Sequence, residues 1–137
     1  MILLRIQRKR TRGWKMPKGA ICVDRPSIWG NPFPVEEYGR ELCIRLYREM
    51  FYGWDPTLLR DTSLAECRVA YQRQRAWKQR FGNDFAPLER ARIELCGHDL
   101  AAWCPLCPVH VDGKPLDVEC ADCTSCHADP LGVAANA

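Results

Sequence analysis

The sequence predicts a single small domain of the α/β (or α+β) class over residues 1–137. It should be a sheet with helices, plus a Cys/His-rich segment near the carboxyl end. Three observations predict this. Short apolar runs bounded by Gly and Pro flank a helical middle, an order that builds one layered unit. A chain of 137 residues with 47% hydrophobic and 27% charged residues suits one ordinary core. Five of the nine cysteines and two of the three histidines crowd into residues 104–127, a density that core packing does not require.

The first run, ILLRIQR, alternates weakly and predicts a strand before Gly13, Pro17 and Gly19 break the pattern. AICVD (Ala20 to Asp24) predicts a short buried strand. RPSIWGNPFP follows with Pro26, Gly30, Pro32 and Pro34, a density that leaves only a shaped loop. Three helices come next. Residues 35–53 place Tyr38, Leu42, Leu46 and Met50 four apart on one face, with Gly53 at the end. The second opens at Ser63 with Glu66 three residues on, a capping box. Its stripe is Leu64, Cys67, Tyr71, Trp77 and Phe81, and Gly82 ends it. The third runs from Pro87 to Cys96, with Leu88, Ala91 and Leu95 inward and Gly97 just past its end. DLAAW (Asp99 to Trp103) predicts a buried strand leading into the cysteine cluster. The last twelve residues predict at most a short helical turn, because Gly132 weakens anything after Pro130.

Residues 1–25 carry eight Lys or Arg and one acid, Asp24, while the remainder is net acidic. Such a segment could face phosphates or be a solvated strand and loop. MILL is too short for a secretory h-region, and no apolar run approaches the ~18 residues of a membrane helix. The expected compartment is the cytoplasm, with no membrane partner and with thiols reduced. Nine cysteines, an odd count, also argue against a fully paired disulfide framework.

Clustered cysteines in a reducing compartment point to metal or to thiol chemistry, and zinc is the expected cofactor. Cys104-x2-Cys107 and Cys120-x2-Cys123 make two knuckles around VHVDGKPLDV, which reads as a hairpin with Asp112-Gly113 at its turn. A second partition, Cys107-x2-His110 with Cys120-x2-Cys123, is equally tetrahedral. Spacing alone does not choose between them. Cys22, Cys43, Cys67 and Cys96 lie in strand or helix patterns and read as core.

RPSIWGNPF (Arg25 to Phe33) and DLAAWCPL…CHAD (Asp99 to Asp129) together resemble a bacterial, largely actinobacterial, and phage family, the domain of unknown function 4326. RGWKMPKGAICVDRPS also looks like that family's approach to the first motif, and the resemblance covers about two-thirds of the chain. If the chain is phage-encoded, the cytoplasm is the host's. The family typically shows Trp-Gly-Asn-Pro-Phe early, then Cys-Trp-Cys and Cys-His-Ala-Asp late. Two departures matter. Ala102 stands where the first cysteine of Cys-Trp-Cys belongs, and the spacer before Cys-His is longer here. The resemblance therefore separates the ligands. Cys104, Cys126 and His127 are family-like, while Cys107, His110, Cys120 and Cys123 arrive with the longer spacer as the preferred metal set, so the resemblance implies a zinc-knuckle hairpin inserted at 107–123.

Cys104 should end a strand at the carboxyl edge of the sheet, where open α/β sheets bind ligands. Cys126 and His127 should begin a helical turn, a setting that favours anions and thiolates. The WGNPF loop should reach the same edge, offering Arg25 as a phosphate fork, Trp29 as a stacking face and Asn31 as an amide. Such a pocket suits a nucleotide or nucleobase, with Cys104 or Cys126 as nucleophile and His127 as base. A zinc deaminase is excluded, because no H-x-E occurs. The competing reading is a non-enzymatic zinc module that binds nucleic acid through the basic N-terminal segment. The knuckle, with Lys114 against Asp112, Asp117, Glu119 and Asp122, suits a protein partner better than phosphate. A third reading is an accessory protein whose zinc only stabilises the fold.

Overall fold

A computed structural model describes residues 2–25, 27–52, 64–81 and 87–137. Four strands form one mixed sheet in the order β2-β3-β1-β4. These are β1 (Leu4–Gln7), β2 (Ile21–Cys22), β3 (Leu100–Ala102) and β4 (Lys114–Pro115). β1 and β2 both run parallel to β3, with Ile6 beside Ala101 and Cys22 beside Ala101. β3 is buried along its whole length, as a central parallel strand should be.

Helices α1 (Val35–Tyr38), α2 (Arg40–Tyr52), α3 (Leu64–Gln79) and α4 (Pro87–Glu94) lie between β2 and β3 in the chain. The expected first helix is thus two helices. Gly39 takes φ +77°, which the preceding turn cannot continue through, and Arg40 starts afresh. The restart shifts the buried face from the expected Leu42 to Cys43, with Leu46, Tyr47 and Phe51 beyond it. Gly53, Ser63 and Gly82 lie outside the described residues, so the expected capping box and those helix ends do too. From the expected α3 stripe, Trp77 and Phe81 are buried, while Tyr71 is exposed. Tyr47, Phe51, Trp77 and Phe81 pack edge to face in a chain of contacts through Trp77, with centroids 4.7–5.9 Å apart. Ala91 and Leu95 bury the inner side of α4 as the periodicity requires.

Two expectations fail for one shared reason. Residues 109–118 do not fold back as a two-stranded hairpin. Pro108–His110 make a 3-10 turn, and β4 crosses to pair antiparallel with β1. The C-terminal segment is not a single turn but a nine-residue helix, α5 (Ala128–Asn136), packed on α2, α4 and β3. Leu116, just after β4, sits over Gly132 so closely that a Cβ there would lie 2.7 Å from a leucine methyl. Gly132 is thus a packing notch, and the loop uses it to dock on α5 rather than to pair with itself.

Candidate functional site

Arg5 and Lys114, each at most 3% exposed, share the Asp129 carboxylate at 2.5 and 3.0 Å. Asp129 lies in the first turn of α5, where a negative charge is favoured. Lys114 Nζ also donates to the carbonyls of Pro115 and Val118. Arg5 Nη2 donates to the carbonyls of Pro105 and Thr124, which face each other across the base of the loop. Two buried cations thereby hold an irregular loop whose own backbone bonds are few.

Within that loop the sulfur and imidazole atoms of Cys107, His110, Cys120 and Cys123 all lie within 4.8 Å of one another. Cys107 Sγ is 3.2 Å from His110 Nδ1 and 3.9 Å from Cys120 Sγ, and Cys123 Sγ is 3.5 Å from His110 Nδ1. A tetrahedral zinc, with Zn–S of about 2.3 Å and Zn–N of about 2.0 Å, needs edges of about 3.8 Å between sulfurs and about 3.6 Å between sulfur and nitrogen. The donor set and its spacings fit such an ion. The Cys107 N–H donates to Cys123 Sγ at 3.3 Å, and backbone N–H groups of Cys123 and Asp122 hold the Cys120 thiol below its ordinary value. Such N–H to sulfur bonds favour thiolates ready for a cation. Cys104, from the alternative partition, is not in this group.

Cys104 instead lines a cavity of about 180 Å³ at the carboxyl ends of β2 and β3. Cys126, His127, Arg25 and Asn31 line it as well, so the WGNPF loop and the Cys-His corner meet here. The cavity also has Asp24, Arg40, Cys43 and Trp103 on its wall. Trp29 does not line it. That ring is 4% exposed and tilts onto Phe81 at 5.1 Å, and its carbonyl accepts the Tyr47 hydroxyl. The stacking role expected of Trp29 is therefore corrected to a core role. Asn31 lines the wall with both ends of its amide engaged. Nδ2 donates to the Cys43 carbonyl at 3.1 Å and Oδ1 accepts the Phe33 N–H at 2.9 Å. Arg25 Nε donates to the Asn31 carbonyl, and Gly30 leaves room for the arginine stem 3.0 Å from where a Cβ would be.

The reactive corner has a defined protonation pattern. His127 Nε2 lies 2.6 Å from the Val23 carbonyl, which can only accept, so Nε2 carries the proton. Nδ1 is then a lone pair, 3.8 Å from Cys126 Sγ. Burial pushes the His127 pKa down and keeps the ring neutral. The neighbouring Cys126 sulfur first of all drives the Cys104 thiol far up, with burial adding to it. The Cys104 thiol in turn, with the Ala128 N–H and the Arg5 charge, holds Cys126 below its ordinary value against burial. Arg40 Nη1 lies 3.8 Å from Cys104 Sγ and donates to the Ser125 carbonyl.

Sequence reasoning missed Arg40, which sat on a polar face of an expected helix and gave no signal. It also missed Trp103, the 37% exposed aromatic on the wall. Its place beside Cys104 in the Trp-Cys motif could have marked it. Arg8 and Arg10 lie over that ring at 4.5 and 5.1 Å, and Arg8 also pairs with Asp24 at 2.8 Å. A second, larger cavity of about 530 Å³ lies between α2, α5 and the loop. Its basic residues, Arg5, Arg45, Arg48 and Lys114, are matched by Asp117, Glu119 and Asp129. Among the described residues no helix is long and apolar enough to cross a membrane.

No curated protein and no solved structure matches the chain. The family profile described as domain of unknown function (DUF4326) matches residues 6–137. That span takes in the cavity, the Cys/His loop and all of the sheet but the first two residues of β1, and the chain belongs to the DUF4326 family.

Proposed function

We propose that the chain is a zinc-holding protein that binds a nucleotide-type anion in the cavity beside its metal loop. Zinc at Cys107, His110, Cys120 and Cys123 has a structural role on this reading. Four protein donors leave no open position for substrate, and three thiolates favour a soft or borderline ion over magnesium or calcium. When bound, the ion would supply charge and cross-linking to the loop. The chain's own side chains would do the recognition.

One observation carries the ligand reading. Two guanidinium groups, Arg25 and Arg40, share one small cavity with the Trp103 ring and the Cys104, Cys126 and His127 corner. Arginine forks suit phosphate oxygens and an indole face suits a base. The volume is below the ~300 Å³ of a typical ligand pocket, so the ligand inserts one ring or one phosphate and leaves the rest outside. Cys126 beside the His127 lone pair has the arrangement of a nucleophile and its base. Equilibrium dialysis of the reduced, zinc-loaded chain against a panel of nucleoside monophosphates tests this. The expected result is binding by the parent that falls at least tenfold in Arg40→Ala and Trp103→Ala. Equal binding by both variants, or none by the parent at millimolar ligand, contradicts it.

A second reading, a single-stranded nucleic-acid end in place of a free nucleotide, has its own support. Arg8 and Arg10 flank the exposed Trp103, and no carboxylate among the described residues pairs with Lys9, Arg10, Arg12, Lys15 or Lys18. It predicts salt-dependent retention on single-stranded DNA or RNA that Lys9→Gln with Arg10→Gln weakens.

A further inference from the structure

The two chain ends that enter and leave the metal loop are fastened together. The Thr124 N–H donates to the Pro105 carbonyl at 3.0 Å. Arg5 Nη2 bonds the carbonyls of Thr124, Pro105 and Cys104 at 2.8, 3.2 and 3.5 Å. This clamp sets Cys104 and Cys126 side by side at the base of the loop, and both line the same cavity of about 180 Å³. Neither sulfur belongs to the metal cluster. Cys126 lies just before α5, next to its N-cap residue His127. Cys104 is half-buried beside the Arg40 guanidinium, while Cys126 is buried and is reached through the cavity that both residues line.

Outside the metal cluster, the other described cysteines are differently engaged. Cys43 is buried and donates to the Arg40 carbonyl, Cys22 donates to Asp24, and Cys96 is exposed.

We propose that Cys104 and Cys126 are a redox-active dithiol that exchanges with small disulfides and closes to an internal disulfide at the base of the metal loop. The thiolate of Cys126 attacks one sulfur of a small disulfide and expels the first small thiolate. The Cys104 thiolate then attacks the Cys126 sulfur of the mixed disulfide and expels the second. Two protein thiols and one small disulfide become one protein disulfide and two small thiols. The two cysteine protons end on the released thiols. The small disulfide is the oxidant, and Arg40 at the wall suits one that carries carboxylates.

This inference is independent of nucleotide binding. A failed nucleotide titration leaves it standing, and a failed exchange leaves binding by the reduced chain standing. The test incubates reduced, zinc-loaded protein with oxidised glutathione, then counts thiols and maps peptides by mass spectrometry. The expected result is the loss of two thiols, one cross-linked Cys104–Cys126 peptide and no change in zinc content. Cys104→Ser should stop at one glutathione held on Cys126. The parent's peptide map decides the matter even if that variant folds poorly. An unchanged thiol count overturns the proposal. So does a glutathione retained on the parent without an internal bond. Oxidation of Cys107, Cys120 or Cys123 with zinc loss, in place of the Cys104–Cys126 bond, overturns it as well.

Discussion

Asn31 uses both ends of its carboxamide inside the fold, holding the Cys43 carbonyl at one end and the Phe33 N–H at the other. Its work is to set the loop that carries Arg25 and Gly30 to the cavity edge. Asn31→Ala leaves a buried acceptor and a buried donor unpaired and should cost about 2–4 kcal/mol. Urea unfolding checks this, and a loss below about 1 kcal/mol would mean that water replaces the amide. His127 titrates in a definite direction. Burial lowers its folded pKa below the ordinary 6.5, so the unfolded chain binds the proton more readily. The stability that goes with a neutral ring is present above pH 6.5 and is lost as pH falls through the folded value. His127→Gln can still donate to the Val23 carbonyl but does not titrate. With zinc present, the stability gap between parent and variant should shift against the parent as pH falls from 7 towards 5. A gap that stays constant with pH would contradict a buried neutral His127.

At the scale of elements, β1, β2 and β3 were legible as apolar runs between breakers, and α4 as a three-to-four periodicity. The phase of α2 was not legible. Gly39 was read as an ordinary position in a long helix, whereas its positive φ separates α1 from α2 and moves burial onto Cys43. Gly132 was read by propensity alone as a breaker. Its use depends on Leu116, which no local pattern connects to it. β4 was misread for the same reason, since its partner is β1 and not its sequence neighbour. Gly132→Ala separates these effects. Helix propensity favours alanine by about 1 kcal/mol, while the clash with buried Leu116 costs about 1–3 kcal/mol. The substitution should destabilise the parent by about 1 kcal/mol and be neutral or stabilising in a Leu116→Ala background. Stabilisation of the parent would show that Leu116 moves aside freely.

Across the whole molecule, one loop connects the chemistry. It leaves β3 at Cys104, gathers the Cys/His cluster, lays β4 on the sheet edge and returns at Cys126. The cluster was legible because metal-ligand spacing is local along the chain. The cavity was only half legible. Its Cys-His corner and Arg25 come from motifs, while Arg40 and Trp103 come from packing that spacing does not encode. An ion held by this loop and absent from the unfolded chain adds stability. At a hundredfold excess over Kd the gain is about 2.7 kcal/mol, which is roughly 10 °C in Tm. A chelator should remove that increment, while the aromatic core around Trp77 keeps the helices folded. No change in Tm on chelation would deny the ion a structural role.

Zinc content per chain, measured by plasma mass spectrometry on the parent, Cys120→Ser and Cys104→Ser, bears most directly on the central claim. That claim is a division of labour between the loop's four donors and the cavity's Cys-His corner. The expected result is one zinc per chain in the parent and in Cys104→Ser, and none in Cys120→Ser. A parent without zinc, or a Cys104→Ser variant that loses it, would contradict the account.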